Sequence, residues 1–281
     1  MKLISSISDL QSWRQSFSGT IGFVPTLGAL HRGHLSLVHQ SNSHCDLTIV
    51  SIYVNPTQFT KGEDLSNYPR DLEKDLEALS NYQVDAVFIP DDKQMYPQGF
   101  STFILEDDLS HRLEGKSRPE HFRGVLTIVG KLFNLIRPTH AFFGEKDAQQ
   151  LRVLQKMVID LNYNLQVMPC SIVREANGLA MSSRNIYLSE NNRERAGVIY
   201  KSLKKAEEML VQGIRSVMEI REAVIAMIKT EKHIRLDYFS IADNNSLTEI
   251  HDNIEGDILV SIAVFFLNVR LIDNFTFHLD K

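Results

Sequence analysis

Ile21-Gly22-Phe23-Val24-Pro25-Thr26-Leu27-Gly28-Ala29-Leu30-His31-Arg32-Gly33-His34 is the stretch whose reading decides the fold. An apolar run, Ile21–Val24, breaks at Pro25-Thr26 and passes through glycine into a helix carrying two imidazoles. The same alternation recurs outward from it. Leu47–Val54 is rich in β-branched residues. Ala86–Ile89 follows a helical pattern with Leu72, Leu76 and Leu79 on one face. Ala141–Phe143 runs directly into a helix carrying Leu151, Leu154 and Val158, and Leu165–Met168 is a further run expected to stop at Pro169. Strands alternating with helices predict a parallel α/β sheet with crossover helices. The clearest helix is Val125, Ile128, Val129, Leu132, Phe133, Ile136, ending before Pro138.

Beyond about residue 185 the pattern changes. Residues 189–231 read as two charged helices joined near Gly213, followed by β-type runs at Leu236–Ile241, Ile258–Phe266 and Val269–Ile272. This is a smaller α+β unit. The division falls near 172–176, giving domains 1–174 and 175–281.

Composition bounds the function. With 43% apolar and 23% charged residues among 281, the chain is an ordinary globular protein with ample core. A net charge of −5 supplies no basic field for a nucleic-acid partner. Cys45 and Cys170 form no metal or disulfide spacing and read as reduced, buried thiols. Met1–Leu10 lacks the apolar core of a secretory leader, and no run is long enough to cross a membrane, so cytoplasm is the expected location.

The chemistry is suggested by two motifs about 150 residues apart. In parallel sheets, ligands sit at the carboxyl ends of strands. His31 and His34 share a helix face there, and Gly33 lets a phosphate approach the backbone. A helix N-terminus adds N–H groups and a positive dipole end. A bare His-x-Gly-His also suits a surface turn, and a zinc site would need a third ligand not near in sequence. His39 and His44, further along, are expected to face solvent. The second motif, Met181-Ser182-Ser183-Arg184-Asn185, offers hydroxyls and a permanent cation for a triphosphate. Together the motifs read as activation by ATP with release of pyrophosphate.

Gly144-Glu145-Lys146-Asp147 repeats the strand-to-helix logic, with Lys146 as a mobile point charge. Gln58, in Asn55-Pro56-Thr57-Gln58-Phe59, and Gln150 are amides suited to a small polar acid. Glu114–Gly124, with Arg118 and His121, is a flexible cationic segment that is either a lid over an anionic substrate or a solvated loop.

With these segments in hand, the chain resembles the pantoate–β-alanine ligases (pantothenate synthetases) from its first strand to Arg270-Leu271-Ile272-Asp273-Asn274. Asn55-Pro-Thr-Gln-Phe, Tyr68-Pro69-Arg70, Met95-Tyr96-Pro97, His121-Phe-Arg-Gly, Gly144-Glu-Lys-Asp with Gln149-Gln150, and Ser182-Ser-Arg-Asn occur in that family in this order. His-x-Gly-His alone marks only a broader nucleotidyltransferase superfamily. The resemblance implies a Rossmann-like ATP- and pantoate-binding domain, a smaller C-terminal lid domain, a homodimer, and Mg²⁺. It implies that pantoate attacks ATP to give pantoyl adenylate and pyrophosphate, and that β-alanine then yields pantothenate and AMP.

Carried over by position, the resemblance implies ATP contacts from Leu27, Gly28, Ala29, Leu30, His31, Arg32, Gly33 and His34. Gly144, Glu145, Lys146, Asp147, Val173, Met181, Ser182, Ser183 and Arg184 complete that set. His34, His31, Lys146 and Arg184 are the catalytic candidates, and Gln58, Gln150, Asn55, Arg118 and His121 the substrate-binding ones. Metal ligands stay unassigned. Asp71 and Asp75 are weak candidates whose alternative is a solvated helix face. Leu27, Ala148 and Asn177 stand where the family usually has methionine, an aromatic residue and aspartate. Looser packing is expected at Ala148 and a lost charge at Asn177. Two rival readings are a plain nucleotidyltransferase, which needs no amine, and a non-catalytic RNA-binding module, which the acidic balance disfavours.

Overall fold

The computed structural model describes residues 1–60 and 62–279. The chain divides into two compact units, Met1–Glu145 with Gln149–Ser171, and Lys146–Ala148 with the described part of Ile172–Lys281.

In the first unit the elements are β1 (Lys2–Ile4), α1 (Ile7–Gln15), β2 (Ile21–Thr26), α2 (Arg32–His44), β3 (Leu47–Ile52), α3 (Leu72–Ser80), β4 (Ala86–Phe88), α4 (Asp92–Met95), α5 (Leu113–Ser117), α6 (His121–Ile136), β5 (His140–Gly144), α7 (Ala148–Asp160, from Gln149 on) and β6 (Gln166–Cys170). The six strands are all parallel, in the order β1-β4-β3-β2-β5-β6. Parallel strands buried on both faces must be apolar throughout. Val24, Val50 and Val87 pack with Leu37, Val38 and Leu79 from α2 and α3. On the other face Phe23 meets Phe133 of α6 edge-on at 6.3 Å. Arg137 ends α6 in the left-handed conformation (φ 47°), and Pro138 prevents continuation.

The order reverses at β2, whose two neighbours are β3 and β5. β5 pairs with β2 only at Gly22 and Phe23, so the two strands are unpaired towards their carboxyl ends. That is the switch-point geometry in which α/β sheets bind ligands.

The second unit contains α8 (Glu190–Ala196), α9 (Val198–Val211), α10 (Val217–Ile228) and an antiparallel sheet of β7 (Ile234–Asp243), β8 (Ile258–Phe266) and β9 (Val269–Phe277). The helices close over one face of that sheet, with Leu203, Leu210, Ile220 and Val224 packed among Ile241, Val260 and Ile262.

Four expectations require correction. Pro169 does not stop β6 but pairs within it opposite Phe143. β6 is an edge strand, where a missing N–H is tolerated. The first of the two charged helices is really two, because Asn177 Nδ2 donates to the Arg193 and Glu194 carbonyls at 2.8 and 3.1 Å. Arg193 O would otherwise accept from Gly197 N, which instead donates to Glu194 O at 3.1 Å. Leu72, at the first position of α3, is exposed rather than buried. Cys45 and Cys170 are both free, but only Cys170 is fully buried. No described helix is long and apolar enough to cross a membrane.

Candidate active site

In the first unit, the carboxyl ends of three adjacent strands carry the motifs. β2 leads into the Leu27–Gly33 loop, β3 into Asn55–Phe59, and β5 into Gly144-Glu145. The loop after β2 is held in the left-handed region at Gly28 (φ 81°) and Ala29 (φ 51°). Only glycine adopts that conformation freely, so Ala29 must be held by its surroundings. The Asp75 carboxylate does so, accepting from Ala29 N at 3.0 Å and Leu30 N at 2.7 Å.

Asp75 is therefore not on a solvated helix face. It is buried, and burial raises its pKa against the opposing pull of the Leu30 and Ala29 hydrogen bonds. Asp71 instead caps α3 and pairs with Lys74 at 2.8 Å on the surface. Among the described residues no cluster of three His, Cys, Asp or Glu side chains could hold a metal.

His31 is the N-cap of α2 rather than a residue within it, and its Nδ1 accepts from Gly33 N at 3.1 Å. An accepting Nδ1 leaves Nε2–H as the donor of the neutral ring. His34 stacks on His31, with ring centres 4.0 Å apart and planes 26° from parallel. The two imidazoles are thus together, as the spacing predicted, but Asp75 and His31 take up N–H groups expected to meet phosphate. Arg32 is exposed, as are His39 and His44.

The second cluster converges on Gln58, in the 3₁₀ turn Pro56–Gln58. Asn55 is fully buried; its Oδ1 accepts from Tyr96 OH at 2.8 Å and Thr57 Oγ1 at 3.0 Å. Its Nδ2 donates to Gln58 Oε1 at 3.0 Å and Gly124 O at 3.2 Å. Both ends of the Asn55 amide therefore meet protein partners. His121 is buried, and its Nδ1–H donates to Gln58 O at 2.8 Å. Burial, then the nearby Arg118 charge, pushes its pKa down to about 4, so the ring is neutral near pH 7.

Arg118 also reaches Gln58 O, at 3.4 Å, but its charge is met by Glu63 at 2.5 and 2.8 Å. Burial alone would raise Glu63; the Arg118 hydrogen bond and charge outweigh it and hold the carboxyl at about 2. The Glu114–Gly124 segment is accordingly not a loose cationic loop. Gln149 ties it down further, accepting from Glu114 N at 2.8 Å and donating to Leu109 O and Arg112 O. Gln150, next along α7, is half-buried. The sequence reading missed Tyr96 and Gln149 as positioning groups, although both lie in quoted motifs.

In the second unit, the hairpin 173–181 closes through Met181 N to Val173 O at 2.9 Å and delivers Ser182 as the cap of the turn Ser183–Tyr187. Ser182 Oγ accepts from Arg184 N at 3.3 Å. Lys146 Nζ lies 3.5 Å from Asp147 Oδ1. Ala148 is buried. Asn177 uses both ends of its amide, accepting from Leu179 N at 3.1 Å besides its two carbonyl contacts, which a carboxylate could not make.

Comparison with known proteins follows the same outline. Residues 2–276 match the family model for pantoate-beta-alanine ligase. A pantothenate synthetase from Acetivibrio thermocellus is 49% identical over 277 residues, covering 98% of each chain. A crystal structure of pantothenate synthetase from Thermus thermophilus superposes with a TM-score of 0.92 at 42% identity, covering 98% of this chain and 99% of that one. A Francisella tularensis pantoate-beta-alanine ligase, complexed with beta-gamma ATP and beta-alanine, gives 0.81 at 35% identity, covering 98% and 97%.

Proposed function

This chain belongs to the pantoate–β-alanine ligase family and is an enzyme that condenses pantoate with β-alanine using ATP, and we propose that it does so through a pantoyl adenylate. A pantoate carboxylate oxygen bonds to the α-phosphorus of ATP as the bond to pyrophosphate breaks. The β-alanine amine then bonds to the acyl carbon, loses a proton, and AMP leaves. The observation that carries this reading is the placement, beyond the carboxyl ends of two adjacent parallel strands, of the stacked His31–His34 pair and the clasped Gln58.

The roles divide by chemistry. Leu27–His34 and Gly144–Asp147 contact ATP, with Val173 and Met181–Arg184. His31, His34, Lys146 and Arg184 offset charge on the departing pyrophosphate. Gln58 and Gln150 bind pantoate. Asn55 fixes the Gln58 Oε1 edge, which leaves the amide NH₂ edge for an acceptor on the substrate. His121 and Arg118 hold the Gln58 backbone. Mg²⁺ would enter with the nucleotide's phosphates and would supply positive charge against the departing pyrophosphate. The working unit is a cytoplasmic homodimer, organised as domains 1–174 and 175–281.

The test incubates the protein with ATP, Mg²⁺ and pantoate, with and without β-alanine, and follows pyrophosphate and AMP. One pyrophosphate per site without β-alanine, and sustained AMP release only with it, is the expected pattern. AMP turnover with no pyrophosphate burst would sink the adenylate.

A further inference from the structure

Arg270-Leu271-Ile272-Asp273-Asn274 carries part of the family resemblance but none of the roles above. Asp273 and Asn274, neighbours on β9, are both buried. Successive strand residues face opposite sides, so two buried polar neighbours need partners on both faces of the sheet.

Asp273 has three. Arg174 donates Nη1 to Oδ2 at 2.6 Å and Nη2 to Oδ1 at 3.0 Å, and Asn274 N donates to Oδ1 at 2.8 Å. Arg174 Nη1 also donates to Gly178 O at 3.0 Å, and its guanidinium lies 4.3 Å from the Tyr200 ring centre. Arg174 and Gly178 belong to the hairpin that delivers Ser182, Ser183 and Arg184. Asn274 reaches elsewhere: its Nδ2 donates to the Lys146 carbonyl at 2.8 Å, across 128 residues.

We propose that Asp273 and Asn274 are positioning residues for two cationic arms of the nucleotide site. Asp273 fixes, through Arg174, the hairpin that leads into the turn bearing Arg184, and Asn274 fixes the backbone from which Lys146 extends. The inference rests on the reading of Lys146 and Arg184 as phosphate-binding groups. A buried ion pair adds little net stability over a packed apolar core, so stability alone does not account for this one. A flexible four-carbon lysine stem is placed only if its backbone is, and a misplacement of about 1 Å can cost about a hundredfold in rate.

Equilibrium binding of Mg·ATP, without pantoate, decides it. Asn274→Ala should weaken binding about tenfold in the native background, the scale of one lost hydrogen bond, and less than about twofold in a Lys146→Ala background. An equal factor in both backgrounds would mean a general structural lesion and would overturn the proposal, as would native affinity in Asn274→Ala. Asn274→Leu, with the same heavy-atom branching but without the donor, repeats the cycle if the alanine variant does not fold. Asp273→Asn with Arg184→Ala tests the other arm by the same criterion. If Lys146→Ala binds ATP like the native protein, both the proposal and the role of Lys146 fall. A native protein that binds ATP but releases no pyrophosphate with pantoate refutes the adenylate alone, and the cycle still decides the positioning.

Discussion

Gly124→Ala isolates the positioning of Gln58 from the stability of the fold. Gly124 lies in the first turn of α6, against the 3₁₀ turn that carries Gln58. A Cβ there would sit 2.3 Å from Thr57 O and 2.5 Å from Gln58 N, both backbone atoms that cannot rotate away. Restoring ordinary contact requires a retreat of about 1 Å. Overpacking costs about 1–3 kcal/mol, and alanine regains about 1 kcal/mol over glycine in a helix. The net loss of stability, about 0–2 kcal/mol, leaves the protein folded. The catalytic cost is larger, because the same 1 Å moves the amide proposed to read pantoate, and about 10–100-fold in kcat/KM is expected. Initial rates with varied pantoate at saturating ATP, beside urea unfolding, separate the two. Gly130→Ala is the control: its Cβ would meet Ile104 Cδ1 at 2.4 Å, the end of a flexible side chain. That variant should keep native kinetics. If Gly124→Ala keeps kcat/KM for pantoate within twofold, the clasp on Gln58 is not what sets substrate binding.

Other expectations follow from the same contacts. Because His121 is held at about 4 against an ordinary 6.5, its contribution is complete above pH 6.5 and lost as pH falls through 4. That amounts to about 3 kcal/mol over the window, and urea midpoints against pH should show a limb that His121→Gln flattens; an unchanged limb refutes it. Glu63, held at about 2 against 4.5, adds a separate acid limb below pH 4.5 that Glu63→Gln removes. Asn177→Asp, though it restores the usual family residue, should destabilise by about 1–3 kcal/mol, since it sets a carboxylate against two carbonyls; a higher thermal midpoint would show the reasoning wrong. His34→Ala should lower single-turnover pyrophosphate release about 10²–10³-fold with an unchanged unfolding midpoint, and a native burst would remove His34 from the chemistry.

What the sequence made legible was periodic or local. The apolar runs at β2, β3 and β5 and the 3.6-residue repeat of α6 declare themselves, because burial on both faces or on one stripe imposes a pattern within a few residues. The paired imidazoles were legible for the same reason. What escaped depends on partners remote in the chain. β1 is three residues long and exists by pairing with β4. The break at Gly197 is made by Asn177. Asp75 looked like any helix-surface acid until the loop after β2 was seen to hang its N–H groups on it.

The same long-range accounting explains why several charged residues around Gln58 are not charged contacts. Arg118 is neutralised by Glu63, and His121 is uncharged. A free guanidinium at this position would attract any anion, including the phosphates of ATP, whatever its shape. If Gln58 binds pantoate as proposed, pairing that charge away leaves recognition to an oriented neutral amide, whose fit depends on where the substrate's hydroxyl and carboxyl oxygens lie. Sites that hydrogen-bond a substrate hydroxyl reject analogues lacking it by about 10⁴–10⁵, because buried polar groups are then left unpaired. On the proposed assignment, discrimination against a deoxy analogue of pantoate comes from the clasp on Gln58, and Arg118 contributes by keeping its charge out of the contact.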